Sequence, residues 1–135
     1  MQLLDQSLFS RPQELIDILV ENKVTIMIWA VSALCLLTTF HALDYKTPES
    51  VRMILFSGEV MPYKHLKQYL SHLPDCKFVN LYGPTEITCN CLYHILEKTR
   101  DYEQGIPLGK HFDNEEVFLV KDGKVVEDVN EIGEI

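Results

Sequence analysis

The chain has 135 residues, 47% of them hydrophobic and 24% charged, and its twelve Lys and Arg against twenty Asp and Glu leave a net charge of −8. That length closes one hydrophobic core and has no room for two domains of ordinary size. The acidic balance excludes a general grip on nucleic-acid phosphates, which needs clustered cations, and the apolar content excludes a disordered chain.

The first residues, MQLLDQSLFSRPQE, lack the basic start and apolar stretch of a secretory leader, so a cytoplasmic protein is expected. Cys35, Cys76, Cys89 and Cys91 are too few and too unevenly spaced for a disulfide scaffold, and reduced thiols fit the same compartment. Ser10-Arg11-Pro12-Gln13 predicts a helix start with Ser10 as cap and Pro12 in the first turn. Leu15, Ile16, Leu19 and Val20 then share one face of an amphipathic helix reaching about Asn22.

Val24 to Leu43 is a run of 20 residues without Asp, Glu, Lys or Arg, the length of a membrane span. Thr25, Ser32, Thr38, Thr39 and His41 interrupt it, however, and it opens on the β-branched block 24–29. A buried strand at 24–29 feeding a core helix at about 31–42 accounts for the run, and no membrane is expected. After a polar connection at 44–49, Arg52 to Ser57 reads as a second buried strand and Pro62 opens a helix to about His72. Lys77 to Tyr82 reads as a third strand, giving β-α-β-α-β with right-handed crossovers.

Beyond Glu86 the period changes: Ile87, Cys89, Cys91, Tyr93 and Ile95 alternate with more polar positions, which predicts a half-buried strand and an end to parallel order. Cys89 and Cys91 then read as small buried residues, because no second Cys or His pair at zinc spacing accompanies them. Residues 97–110 read as a loop. Val117 to Val120 and Val125-Val126 flank Asp122-Gly123, a strong hairpin signal. The expected fold is therefore α/β: a parallel β-α-β-α-β unit over about 1–86 with helices packed on the sheet, then antiparallel strands and a C-terminal hairpin over about 87–135.

Two strand ends, Ser57-Gly58-Glu59 and Tyr82-Gly83-Pro84-Thr85-Glu86, should lie side by side at the carboxyl edge of the sheet, where open α/β folds bind ligands. Their residue types suit a nucleotide. Gly83 allows close backbone approach, Tyr82 offers a flat ring, Thr85 a hydroxyl for phosphate and Glu86 a hard carboxylate for Mg²⁺. A Gly-Pro turn with a polar tip is the plainer alternative. His41, His65, His72, His94 and His111 show no ligand spacing with a carboxylate or Cys and read as surface or packing residues. Trp29, Tyr63 and Tyr69 read as core or rim aromatics.

Asn80-Leu81-Tyr82-Gly83-Pro84-Thr85-Glu86 resembles the signature of the adenylate-forming (AMP-binding) enzymes, the superfamily of nonribosomal-peptide adenylation domains, acyl-CoA synthetases and luciferases. The order Val24-Thr25, Ser57-Gly58-Glu59, Asn80 to Glu86, Ile106-Pro107-Leu108-Gly109-Lys110, the hairpin and Gly133-Glu134-Ile135 is similar to the middle of such a domain over essentially the whole chain. The Gly-Pro-Thr-Glu form looks most like amino-acid-activating members, including D-alanine–carrier-protein ligases. The resemblance implies ATP and Mg²⁺ as cofactors, an amino acid as substrate and a carrier protein with a phosphopantetheine thiol as partner. It implies that Asn80, Leu81, Tyr82 and Gly83 border the nucleotide, that Thr85 touches the α-phosphate and that Glu86 binds Mg²⁺. Ser32, Leu55, Ser57, Leu81, Cys89 and Asn90 would form the amino-acid pocket.

The same resemblance marks departures. The family's Ser/Thr/Gly-rich phosphate loop with its Lys, the Asp that anchors the substrate ammonium, the ribose-binding Asp and the small C-terminal lobe with its catalytic Lys do not occur in this sequence. The chain is thus expected to be one partial domain, the central part of a large adenylation lobe, inactive alone because carboxylate, phosphate and Mg²⁺ must be aligned by groups it lacks. Apolar surface left uncovered would favour self-association. An acyl- or aryl-CoA synthetase segment and a non-catalytic α/β nucleotide-binding or interaction module are the alternative readings.

Overall fold

The computed structural model describes residues 3–87 and 89–135. Helix α1 (Pro12–Glu21) starts on Pro12, as predicted, but its cap is Arg11, which makes no side-chain cap bond. Ser10 instead ends a preceding 3-10 turn, Gln6–Ser10, where its hydroxyl donates to the Ser7 carbonyl at 2.6 Å. Lys23, at φ +47°, turns the chain into β1 (Ile26–Ala30), which runs straight into α2 (Val31–Thr39). The single helix expected to about residue 42 is broken: His41 takes a left-handed φ of +53° and a separate short helix α3 (Ala42–Tyr45) follows. Strand β2 (Met53–Ser57), helix α4 (Tyr63–His72) and strand β3 (Lys77–Tyr82) complete the β-α-β-α-β order.

Strands β1, β2 and β3 are parallel and adjacent, with Ile28 opposite Leu55 and Leu55 opposite Val79. Strand β4 (Leu92–Ile95) then pairs antiparallel with β3, and the short β5 (Lys110–His111) antiparallel with β4. The hairpin forms a separate two-stranded sheet, β6 (Val120–Lys121) and β7 (Lys124–Val125), with Asp122 and Gly123 both at positive φ. That geometry is why Asp-Gly marks such turns.

Because the parallel strands advance in one direction, their crossover helices stack on one face. There Met27, Ile54, Phe56 and Phe78 meet Leu15, Leu19, Leu34, Leu37, Leu66 and Tyr69 in the buried core. The Tyr69 hydroxyl reaches the Leu34 carbonyl at 3.0 Å, so the ring joins α4 to α2 and satisfies its own polar end. Between the same helices Thr38 donates its proton to the Cys35 carbonyl and therefore accepts from His65 Nδ1–H at 2.6 Å. The opposite sheet face is bare at its flanks, where Ile26 is 45%, Ile28 70% and Ile95 53% exposed, while Val79 between them is buried.

Asp44 corrects the reading of the histidines. Its two carboxylate oxygens lie 2.9 Å from His41 Nδ1 and 2.9 Å from His72 Nε2, clasping α3 to the end of α4. Lys46 reaches Asp17 at 2.7 Å and ties the same short helix to α1. Among the described residues no helix is long and apolar enough to cross a membrane, since the uncharged run is divided between β1, α2 and α3.

Candidate functional site

Strands β2 and β3 end side by side, and the chain leaves them through Gly58, at φ +91°, and Gly83. Between these ends lies a cleft of about 270 Å³ lined by Gly58, Glu59, Val60, Met61, Asn80, Leu81, Tyr82, Gly83, Ile106 and Leu108. Four of the predicted nucleotide-bordering residues, Asn80, Leu81, Tyr82 and Gly83, therefore share one cavity with the predicted partner strand end. The walls are mostly apolar, with Asn80 as a buried amide and Glu59 at the exposed rim.

Gly83 also forms the neck of a loop. A Cβ there would lie 2.1 Å from the Cys89 carbonyl oxygen and 2.5 Å from Asn90 Cα, so only glycine permits the closure. The Cys91 amide donates to the Tyr82 carbonyl at 2.8 Å beside that contact, and Cys89 takes φ +92°. Inside the loop, Thr85 and Glu86 stand exposed on a 3-10 turn, Thr85–Ile87. The strand expected from Ile87 thus begins only at Leu92; Thr88 lies outside the described residues. Cys91 is buried as expected, but Cys89 is exposed and on no strand, so its reading as a buried residue fails.

Of the residues assigned to an amino-acid pocket, one lines the cleft described above. Leu81 lines the cleft, Leu55 and Ser57 are half-buried on β2, Ser32 is exposed in the first turn of α2, Cys89 is exposed and Asn90 half-buried in the loop. By register Leu55 faces with Ile28 toward the bare side of the sheet.

Among the described residues no group of three or more His, Cys, Asp or Glu side chains is placed to hold a metal ion. Glu86 presents one exposed carboxylate on its turn, a hard oxygen donor of the kind that would suit Mg²⁺ held mainly by nucleotide phosphates and water. Near the cleft, burial pushes the Cys35 thiol up, with the Glu59 charge adding to it, so this cysteine stays a neutral thiol.

Sequence reasoning missed Val60, Met61, Ile106 and Leu108 as lining residues. The last two flank Pro107, whose carbonyl accepts from Asn80 Nδ2 at 3.2 Å. The Gly-Ile-Pro-Leu-Gly pattern was the signal available for them.

The sequence profile of the family described as "AMP-binding enzyme" matches residues 2–135. The chain belongs to this family. It is 28% identical over 123 residues to surfactin synthase subunit 3 of Bacillus subtilis (strain 168), covering 91% of this chain and 9% of that protein. It is 35% identical over 118 residues to an L-proline–[L-prolyl-carrier protein] ligase of Streptomyces coelicolor, covering 84% of this chain and 22% of the ligase. Among solved structures, IdnL1 superimposes with a TM-score of 0.84 at 22% identity, over 96% of this chain and 27% of IdnL1, which shows the shared fold. The chain thus spans about a quarter or less of the length of these relatives.

Proposed function

We propose that this AMP-binding family chain forms one wall of the nucleotide site of an amino-acid-activating ligase. That enzyme makes an aminoacyl-AMP and pyrophosphate from ATP and an amino acid, then passes the acyl group to a carrier-protein thiol. The observation that carries the reading is the joining of Asn80 to Gly83 with Gly58 to Met61 in one cleft at the carboxyl edge of the parallel strands. The carrier ligase among the relatives supports the amino-acid and carrier-protein part.

In this reading Asn80, Leu81 and Tyr82 border the adenine, with the Tyr82 ring against it, and Gly83 lets the backbone approach the nucleotide. Thr85 reaches an α-phosphate oxygen and Glu86 holds Mg²⁺, which when bound neutralises phosphate charge. Leu55, Ser57, Leu81, Ser32, Cys89 and Asn90 contribute to the amino-acid side. Their dispersal over the bare sheet face and the loop fits a pocket completed by polypeptide beyond these residues. Without a phosphate loop and a catalytic Lys the chain is inactive alone, a partial domain whose uncovered apolar face favours self-association.

Amino-acid-dependent pyrophosphate exchange tests this. The 135-residue chain by itself should show none. In a longer reading frame that carries the phosphate loop and the Lys, exchange should appear, and Glu86→Ala should lower it by at least about 100-fold, the scale on which loss of a charge-stabilising group acts. Unchanged exchange in that variant removes Glu86 from the metal role.

A further inference from the structure

The segment Gly105 to Gly109 is a strap held at both ends. At one end stands Tyr102, 2% exposed, whose hydroxyl accepts from the Glu97 amide at 2.7 Å and pairs with His94 Nε2 at 3.1 Å. The Tyr102 carbonyl accepts the Gly105 amide at 3.0 Å. At the other end Gly109, at φ +91°, passes so close to β4 that a Cβ would lie 2.0 Å from the Tyr93 carbonyl oxygen. Gly105, at φ +117°, has open space around it and provides a swivel.

Between these anchors Ile106 packs against the hydrophobic core, and polar contacts are few. Pro107 carries no N–H, so its centre cannot join a strand ladder. Outside the ladder of β4 and β5, the bond from Asn80 Nδ2 to the Pro107 carbonyl is the one hydrogen bond that residues 106–108 make among the described residues. Asn80 itself is 8% exposed, two residues before the end of β3 and paired on both sides with β2 and β4, which makes it a rigid post. Ile106 and Leu108, on either side of the bonded carbonyl, both line the cleft.

We propose that Asn80 is a positioning residue: its amide pins the Pro107 carbonyl and thereby sets the distance of the apolar strap Ile106–Leu108 from the strand ends Gly58–Met61 and Tyr82–Gly83. The width of the cleft, and so its fit to a flat ligand, is governed through the strap. That last step rests on the nucleotide reading, whereas the pin does not.

Asn80→Asp keeps the side chain's size and removes the donor. Backbone ¹⁵N relaxation on the full chain should show Ile106 and Leu108 falling from an order parameter of about 0.85 to below about 0.6, with β1, β2 and β3 unchanged. Asn80→Ser, too short to reach Pro107, should loosen the strap alike and serves if the Asp variant does not fold. A strap equally ordered in a folded variant overturns the pin, and so does loss of the whole fold in both variants, which would make Asn80 a residue of the core alone. Because Asn80 itself borders the nucleotide in that reading, titration with a fluorescent ATP analogue and Mg²⁺ uses Pro107→Gly, which loosens the strap and keeps Asn80 and the lining side chains in place; binding should weaken about tenfold, a change of about 1.4 kcal/mol. Unaltered affinity with a loosened strap overturns the link to ligand fit. A wild-type chain with an ordered strap and no affinity for the analogue counts against the nucleotide reading, and the order parameters still decide the pin.

Discussion

Replacing Gly83 by alanine probes the loop neck without confusion from backbone strain, because its φ lies outside the left-handed region. The new methyl would lie 2.1 Å from the Cys89 carbonyl oxygen, where comfortable carbon contacts are about 3.5 Å. Both nearest obstacles are backbone atoms, so no side-chain rotation relieves the overlap and the two sides of the loop neck must part by about 1.4 Å. Overpacking of this kind costs about 1–3 kcal/mol, and loss of the neighbouring Cys91–Tyr82 hydrogen bond adds about 1 kcal/mol, so a destabilisation of about 2–4 kcal/mol is expected. With a urea m-value of about 2 kcal/mol/M the midpoint should fall by about 1–2 M. Gly58→Ala is the contrast: φ is +91° but nothing lies within 4 Å of the Cβ, so only the backbone conformation is penalised, by about 1–2 kcal/mol. A Gly83→Ala protein within about 0.5 kcal/mol of the parent would refute the steric argument.

The two sheet faces should respond differently to truncation. Ile54→Ala, at a fully buried position between sheet and helices, should cost about 2–5 kcal/mol in urea unfolding, whereas Ile28→Ala on the bare face should cost under about 1 kcal/mol. Tyr69→Phe removes the donor to the Leu34 carbonyl and should cost about 1 kcal/mol, read the same way. Burial lowers the His65 pKa from its ordinary 6.5, so the unfolded chain binds the proton more readily; stability is complete above pH 6.5 and is lost as pH falls through the lower folded value. His65→Gln should flatten that part of a stability–pH curve. Hydrogen bonds from Lys46 and from His41 depress Asp17 and Asp44 below 3.8, so their contribution is present above that pH and lost as pH falls further. Asp44→Asn should therefore blunt the decline on the acid limb.

The parallel half of the fold was legible because Ile26 to Ala30 and Met53 to Phe56 are continuous apolar runs, the pattern of strands flanked by others, and Phe78, Val79, Leu81 and Tyr82 make the third strand largely apolar. The strand ends followed from that order, and with them the cleft. What escaped was set by contacts distant in sequence. Ile87, Cys89 and Cys91 alternate as a strand would, yet the approach of Gly83 to Cys89 folds the first two into a loop, and spacing carries no trace of such a neck. The break at His41 was hidden by an uncharged composition that reads as one helix, although Asp44 gains its partner His72 only because α4 returns beside α3. Ile106 and Leu108 entered the cleft through a bond from Asn80 to a carbonyl 27 residues away. Glycine and proline announced a turn there but not what it would face.

Among the described residues strand β1 is an edge of the larger sheet, and it carries Ile26 and Ile28 outward on the uncovered face. An apolar edge strand of this kind templates pairing with other chains once heat loosens its surroundings. Warming should then end in irreversible association, and an apparent melting temperature would move with scan rate and protein concentration. Substituting Ile28 by lysine, a charge of the sort that guards natural sheet edges, should make thermal unfolding reversible while leaving the urea midpoint nearly unmoved.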